Sequence, residues 1–224
     1  MKMIEYPDSE MMMIDLSQMM ARELESALLH EPRATLVVPG GSTPGPVFDT
    51  LCAIDLDWAR VDVFLSDERW LPEVHVRSNA RLVKERLLTG RAAAARFHPL
   101  YVPADRPEDV LAEIESGLVP CLPISVLLLG MGTDMHTASL FPGGDNLADA
   151  LDPRHAPILV PMRAEGTPEP RVTLSARVLN GAMAKHLVIT GAAKKSALER
   201  AQGKTAMDAP VMAILRDTTV HYAP

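Results

Sequence analysis

No apolar run in this 224-residue chain reaches the ~18 residues that a membrane span needs, so no transmembrane helix is expected. The N-terminal stretch is rich in methionine, but Glu5, Asp8, Glu10 and Asp15 interrupt it, so it lacks the apolar core of a signal peptide. Cysteine is scarce: Cys52 and Cys121 stand far apart without ligand spacing, and both read as small buried apolar residues of a reducing compartment. The cytoplasm is the expected location. Positive charge is not in excess either. A net charge of −7 argues against a nucleic-acid footprint and means that an anionic substrate must be met by a few placed cations. There is no repeat, low-complexity tract or long Gly/Ser linker, so residues 1–224 read as a single domain. No helix-turn-helix segment suggests a regulator. The glycine-rich segment GGSTP fits neither G-x-x-x-x-G-K-[ST] nor G-x-G-x-x-G, which removes the P-loop and Rossmann readings.

What is present is an alternation. Short apolar runs of strand length alternate with longer segments of helical period, which predicts an α/β fold: an open, mostly parallel sheet with helices on both faces. Strands are expected at Thr35–Val38, Val61–Leu65, Ser125–Leu129, Ile158–Pro161, Leu187–Thr190 and Thr218–Tyr222. Helices are expected at Ser9–Leu29, Pro44–Ala53, Asn79–Leu88, Pro107–Gly117, Ala176–Gly181 and Ala192–Gln202. Asp8 or Ser9 can cap the first helix, and Ser78 or Asn79 the third.

Ligands of open α/β sheets bind at the carboxyl ends of the strands, so the segments that follow the predicted strands carry the functional information. The first is Pro39-Gly40-Gly41-Ser42-Thr43-Pro44, where two glycines free backbone N–H groups, two hydroxyls add donors and a helix begins. It can cradle a phosphate, or be no more than a capped tight turn. The second is Ser66-Asp67-Glu68-Arg69-Trp70, whose charges follow directly on VDVFL. Burial there is costly unless they pair with one another or meet a ligand. The third runs Gly130-Met131-Gly132-Thr133-Asp134-Met135-His136, a small-residue turn with a carboxylate two positions from an imidazole. His136 is the natural general base of such a turn, although a lone histidine is more often structural. The fourth is Gly191-Ala192-Ala193-Lys194-Lys195, with lysine in the first helical turn, where the dipole disfavours a cation unless an anion binds. Arg171, in TPEPRVTLSA, is a further candidate cation. Solvated surface charge is the bland alternative for both.

Taken in order, GGSTP, SDERWLP with SNARLVKERLL, LLGMGTDMHTASLFPG, PRVTLSA and TGAAKKSAL resemble the 6-phosphogluconolactonase family, and more distantly the glucosamine-6-phosphate deaminases. The matching pieces run from Gly40 to Leu198. The resemblance implies the fold shared by these enzymes with ribose-5-phosphate isomerase and CoA transferases. It implies a phosphorylated sugar lactone as the small-molecule partner, with hydrolysis to 6-phosphogluconate as the second step of the oxidative pentose phosphate pathway. It also implies that no metal or organic cofactor is used. His136 then takes the proton of the attacking water, with Asp134 or Asp67 orienting it. Arg69 or glycine-loop N–H groups stabilise the oxyanion, and the Gly40–Gly41 turn, Ser42, Thr43, Arg171 and Lys194 hold the phosphate. The family often has glycine between that Asp and His. Met135 stands there in this chain, so the turn is expected to accommodate a side chain. The deaminase loop carries Glu five residues after the histidine, where this chain has Phe141, which places the deaminase reading behind. A non-catalytic sugar-phosphate sensor would need the cations and GGSTP, but not His136 with Asp67 and Asp134.

Overall fold

A computed structural model describes residues 1–224. The chain runs β1 (Lys2–Glu5), α1 (Ser9–His30), β2 (Ala34–Val38), α2 (Gly45–Leu51), β3 (Val61–Leu65), β4 (Asp67–Arg69), α3 (Asn79–Arg86) and β5 (Arg96–His98). It continues through α4 (Leu111–Leu118), β6 (Val126–Gly130), α5 (Leu147–Leu151), β7 (Leu159–Met162), β8 (Arg171–Leu174), α6 (Ala176–Asn180), β9 (Ala184–Thr190), α7 (Ala192–Ala201) and β10 (Thr219–Ala223).

Seven strands form one sheet in the order β1-β10-β9-β6-β2-β3-β5, and every pairing in it is parallel. All residues of β2 and β3 are buried. Side chains of a strand alternate between faces, so both faces of the sheet centre are covered; this is why ATLVV and VDVFL read as near-continuous apolar runs. Helix α1 lies against β2, β6 and β10. It buries Met12, Leu16, Met20, Leu24 and Leu28, the four-residue spacing of one helical face, and each buried side chain contributes roughly 1.5–3 kcal/mol. Asp8 caps it by accepting from the Met11 amide at 2.8 Å.

Three more strands make a small antiparallel sheet, β4-β8-β7. Ser66 joins the two sheets: its amide donates to the Val38 carbonyl, and its carbonyl accepts from the Leu174 amide. This second sheet corrects three sequence expectations. The segment after VDVFL is not a loop, because Asp67–Arg69 pairs with β8. The strand expected at Ile158–Pro161 lies at Leu159–Met162, outside the parallel sheet. As the edge of the small sheet it tolerates Pro161, which has no amide to pair. The segment TPEPRVTLSA, in which no strand was expected, supplies strand β8 with Arg171 at its start. Elsewhere, the helix expected at Pro107–Gly117 divides into a 3-10 turn at Pro107–Asp109 and α4, and Cys52 is half-buried rather than fully inside.

At one end of the large sheet a hydrogen-bonded series ties α1 to the strands. Tyr6 Oη donates to Asp15 at 2.7 Å and accepts from His221 Nδ1 at 3.0 Å. His186 Nδ1 meets His221 Nε2 at 3.0 Å, and its Nε2 lies 2.7 Å from Glu23.

Candidate active site

Strands β9, β6, β2 and β3 are consecutive in the sheet and parallel, so the four segments singled out from the sequence leave the same edge side by side. From β2 the chain moves outward through β3 and β5, and from β6 the other way through β9 and β10. The loops after β2 and β6 therefore diverge and leave a crevice at this switch point. A cleft of about 320 Å³ lies there. Gly40, Gly41, Ser42, Thr43, Asp67, Arg69, His136, Arg171 and Lys194 all line it; Asp134 stands behind His136. A roomier hollow of about 500 Å³ elsewhere is rimmed by Glu108, Asp149 and Asp152, and its charge is wrong for an anion.

His136 Nδ1 lies 2.6 Å from Asp134 Oδ1. An ionised carboxylate only accepts, so Nδ1 carries the hydrogen and Nε2 presents its lone pair. Burial alone would raise the Asp134 carboxyl, but the hydrogen bond and charge of His136 outweigh it and hold the group below the usual carboxylate range. The close fold of this pair requires Gly132: a Cβ there would sit 2.3 Å from the imidazole and 2.4 Å from Asp134 Oδ1. Met135 adopts φ 70°, and Ala138 in the same loop adopts φ 49°. The expectation that the turn suits a side chain is thereby corrected. Each left-handed residue costs roughly 1–2 kcal/mol, which the surrounding bonds must offset. Among them, the Met135 carbonyl accepts from the Val211 amide at 3.0 Å. The Phe141 ring packs against His136 with centroids 4.7 Å apart.

Of the two carboxylates considered as partners of His136, only Asp134 touches it. Asp67 is buried and accepts from Ser66 Oγ at 2.9 Å and Ser139 Oγ at 2.7 Å, so it forms part of the cleft wall.

The cations meet in an unusual way. Arg69 and Arg171 stand directly opposite each other in the β4–β8 pair. Like charges in that relation repel. Arg69 Nη1 donates to the Arg77 carbonyl at 2.6 Å, and Arg171 Nη2 lies 3.5 Å from Glu169, but the Nε of each arginine is buried without a partner. Burial pushes the Arg171 guanidinium below its ordinary value. Lys194, in the first turn of α7, is also lowered by burial, and its Nζ lies 3.5 Å from Thr43 Oγ1. An anion in the cleft would relieve both the repulsion and the desolvation.

Sequence reasoning left two residues unassigned. Asn79 lines the cleft, and Glu68 is fully buried just behind it. The signal for Glu68 was its charge directly after an apolar strand. One His/Cys/Asp group is tight enough to suggest a metal, Asp62–His98–Cys121, and it belongs to the far end of β3. Both oxygens of Asp62 already accept from Arg33, whose positive charge opposes a cation there.

Fold and cleft together have the layout of an open α/β enzyme, with a His–Asp pair facing a cleft lined by Arg69, Arg171 and Lys194. The chain belongs to the family described as glucosamine-6-phosphate isomerases/6-phosphogluconolactonase, which it matches over residues 7–222. Among its relatives is a 6-phosphogluconolactonase of Pseudomonas aeruginosa, 44% identical over 93% of this chain and 89% of that protein. Another from Rhizobium meliloti is 43% identical over 90% of this chain and 89% of its own length. The crystal structure of a 6-phosphogluconolactonase from Shewanella baltica superposes with a TM-score of 0.95 at 30% identity, covering 100% of this chain and 97% of that one. A monomeric glucosamine-6-phosphate deaminase, 18% identical with a TM-score of 0.79, shares the fold.

Proposed function

We propose that this protein hydrolyses 6-phospho-D-glucono-1,5-lactone to 6-phosphogluconate, the second step of the oxidative pentose phosphate pathway, in the cytoplasm. The observation that carries the reading is the His136–Asp134 pair opening on the same cleft as two opposed arginines and Lys194. His136 Nε2 takes a proton from water as the water oxygen bonds to the lactone carbonyl carbon. Asp134 holds the Nδ1 hydrogen and stabilises the imidazolium that forms. The carbonyl oxygen becomes an oxyanion, met by Arg69 or by N–H groups of the glycine turns. As the ring C–O bond breaks, the imidazolium returns its proton to the leaving oxygen. Ser42, Thr43, Arg171 and Lys194 hold the distal phosphate, which supplies orientation remote from the reacting carbon.

The deciding experiment is lactone hydrolysis by purified protein, using fresh δ-lactone beside a no-enzyme blank, since such lactones also open spontaneously. Turnover well above the blank is expected, and a rate equal to the blank would refute the proposal.

A further inference from the structure

We propose that Glu68 is a positioning residue for this reaction, holding the Gly40–Gly41 turn in place through the first turn of α3; the inference rests on the lactonase reading of the cleft. Glu68 is fully buried and forms no ion pair, an expensive state for a carboxylate. Four donors offset part of that cost, although burial still holds the carboxyl above its ordinary value. Oε1 accepts from the amides of Arg69 at 2.7 Å and Asn79 at 2.8 Å; Oε2 accepts from the Ala80 amide at 2.7 Å and from Ser78 Oγ at 3.1 Å. Three of these are backbone N–H groups, which cannot reverse direction, and two belong to the otherwise unpaired start of α3, where the helix dipole favours an anion. The carboxylate therefore fixes where α3 begins relative to β4.

What α3 carries at that point is Asn79. Its Nδ2 donates to the Asp67 carbonyl at 2.9 Å, and its amide group lies where a Gly40 side chain would be: a Cβ on Gly40 would fall 1.9 Å from Asn79 Oδ1. Gly40, Asp67 and Asn79 all line the cleft. The chain of contact thus runs from a residue outside the cleft, through one helix turn, to the turn assigned to the phosphate. Glutamine at position 68 would keep the size but place an amide N–H₂ against N–H donors, so α3 and Asn79 must shift.

The test is steady-state kinetics of Glu68→Gln, Asn79→Ala and the double variant on phosphorylated and unphosphorylated gluconolactone. Each single variant should raise KM for the phosphorylated lactone about tenfold, with kcat and the unphosphorylated reaction changed by no more than about twofold. The double variant should be no worse than the worse single, because both act along one route. A folded Glu68→Gln with wild-type KM, equal losses on both lactones, or additive losses in the double variant would overturn the assignment. If Glu68→Gln does not fold, Asn79→Ala decides: a normal KM there overturns it equally. Wild-type protein without any lactone turnover would refute the lactonase reading itself. Glu68 would then be judged by calorimetric binding of 6-phosphogluconate, where an unchanged Kd in Glu68→Gln overturns the inference and a loss of about tenfold supports it.

Discussion

His136 has one nitrogen committed to Asp134 and one left for chemistry. His136→Ala should lower kcat by roughly 10²–10⁴ with KM nearly unchanged, as measured on the phosphorylated lactone; wild-type turnover would remove His136 from the mechanism. Phe141 makes a second statement at this scale. Its ring lies on His136 and occupies the sequence position at which the resemblance to the deaminases places an acid–base Glu, and an apolar ring cannot move a proton at carbon. Glucosamine 6-phosphate should therefore act as a weak competitive inhibitor and release no ammonia above background. Steady ammonia release that His136→Ala abolishes would assign the protein to the other branch of its family. The Asp134–His136 pair was legible in the sequence, because an Asp two positions before a His in a turn needs no distant partner to be recognised, whereas Phe141 drew notice only through the resemblance to the deaminases. The left-handed backbone at Met135 was signalled only by the glycine that the family often has there, since methionine itself gives no sign of it. Nor was Asp134 separable from Asp67 as the partner of His136, because that choice depends on Ser66 and Ser139 occupying Asp67.

Among the elements, the strands of the parallel sheet were readable where both faces are buried, as in β2, β3 and β6, and unreadable where they are short or at an edge. β1 and β5 carry exposed charges at Lys2, Glu5 and Arg96; in the small antiparallel sheet, β4 is likewise only three residues of mixed charge. No periodicity exists over such lengths. The cost of missing β4 and β8 was the facing of Arg69 and Arg171, a register between segments about a hundred residues apart. That register has a measurable consequence. Inorganic phosphate should raise the Tm of the wild-type protein, because it binds the folded state alone. Arg171→Gln removes one of the opposed charges, so the same phosphate concentration should raise its Tm far less. Equal increments in the two proteins would show that the paired arginines do not read the anion.

At the scale of the whole molecule, stability should depend on pH through His221. Burial, and next to it the neighbouring His186, lower its pKa to about 4 from the ordinary 6.5. The unfolded chain therefore takes up a proton near pH 6.5 that the folded chain refuses until about pH 4. His221 contributes stability that is fully present above 6.5 and lost as the pH falls through this window, on the order of 3 kcal/mol in all. Denaturant midpoints between pH 7.5 and pH 4.5 should fall accordingly, and less steeply in His221→Gln; identical slopes would show that His221 is not the group responsible. The strand that bears His221 has one more property. β10 separates β1 from β9, so Lys2–Glu5 has no strand partner except residues 219–222. Pairing between segments more than two hundred residues apart is highly non-local, and such pairing forms slowly. During synthesis β1 emerges early and must wait, unpaired, until β10 has been made. This edge of the sheet can therefore close only after every other strand has been made.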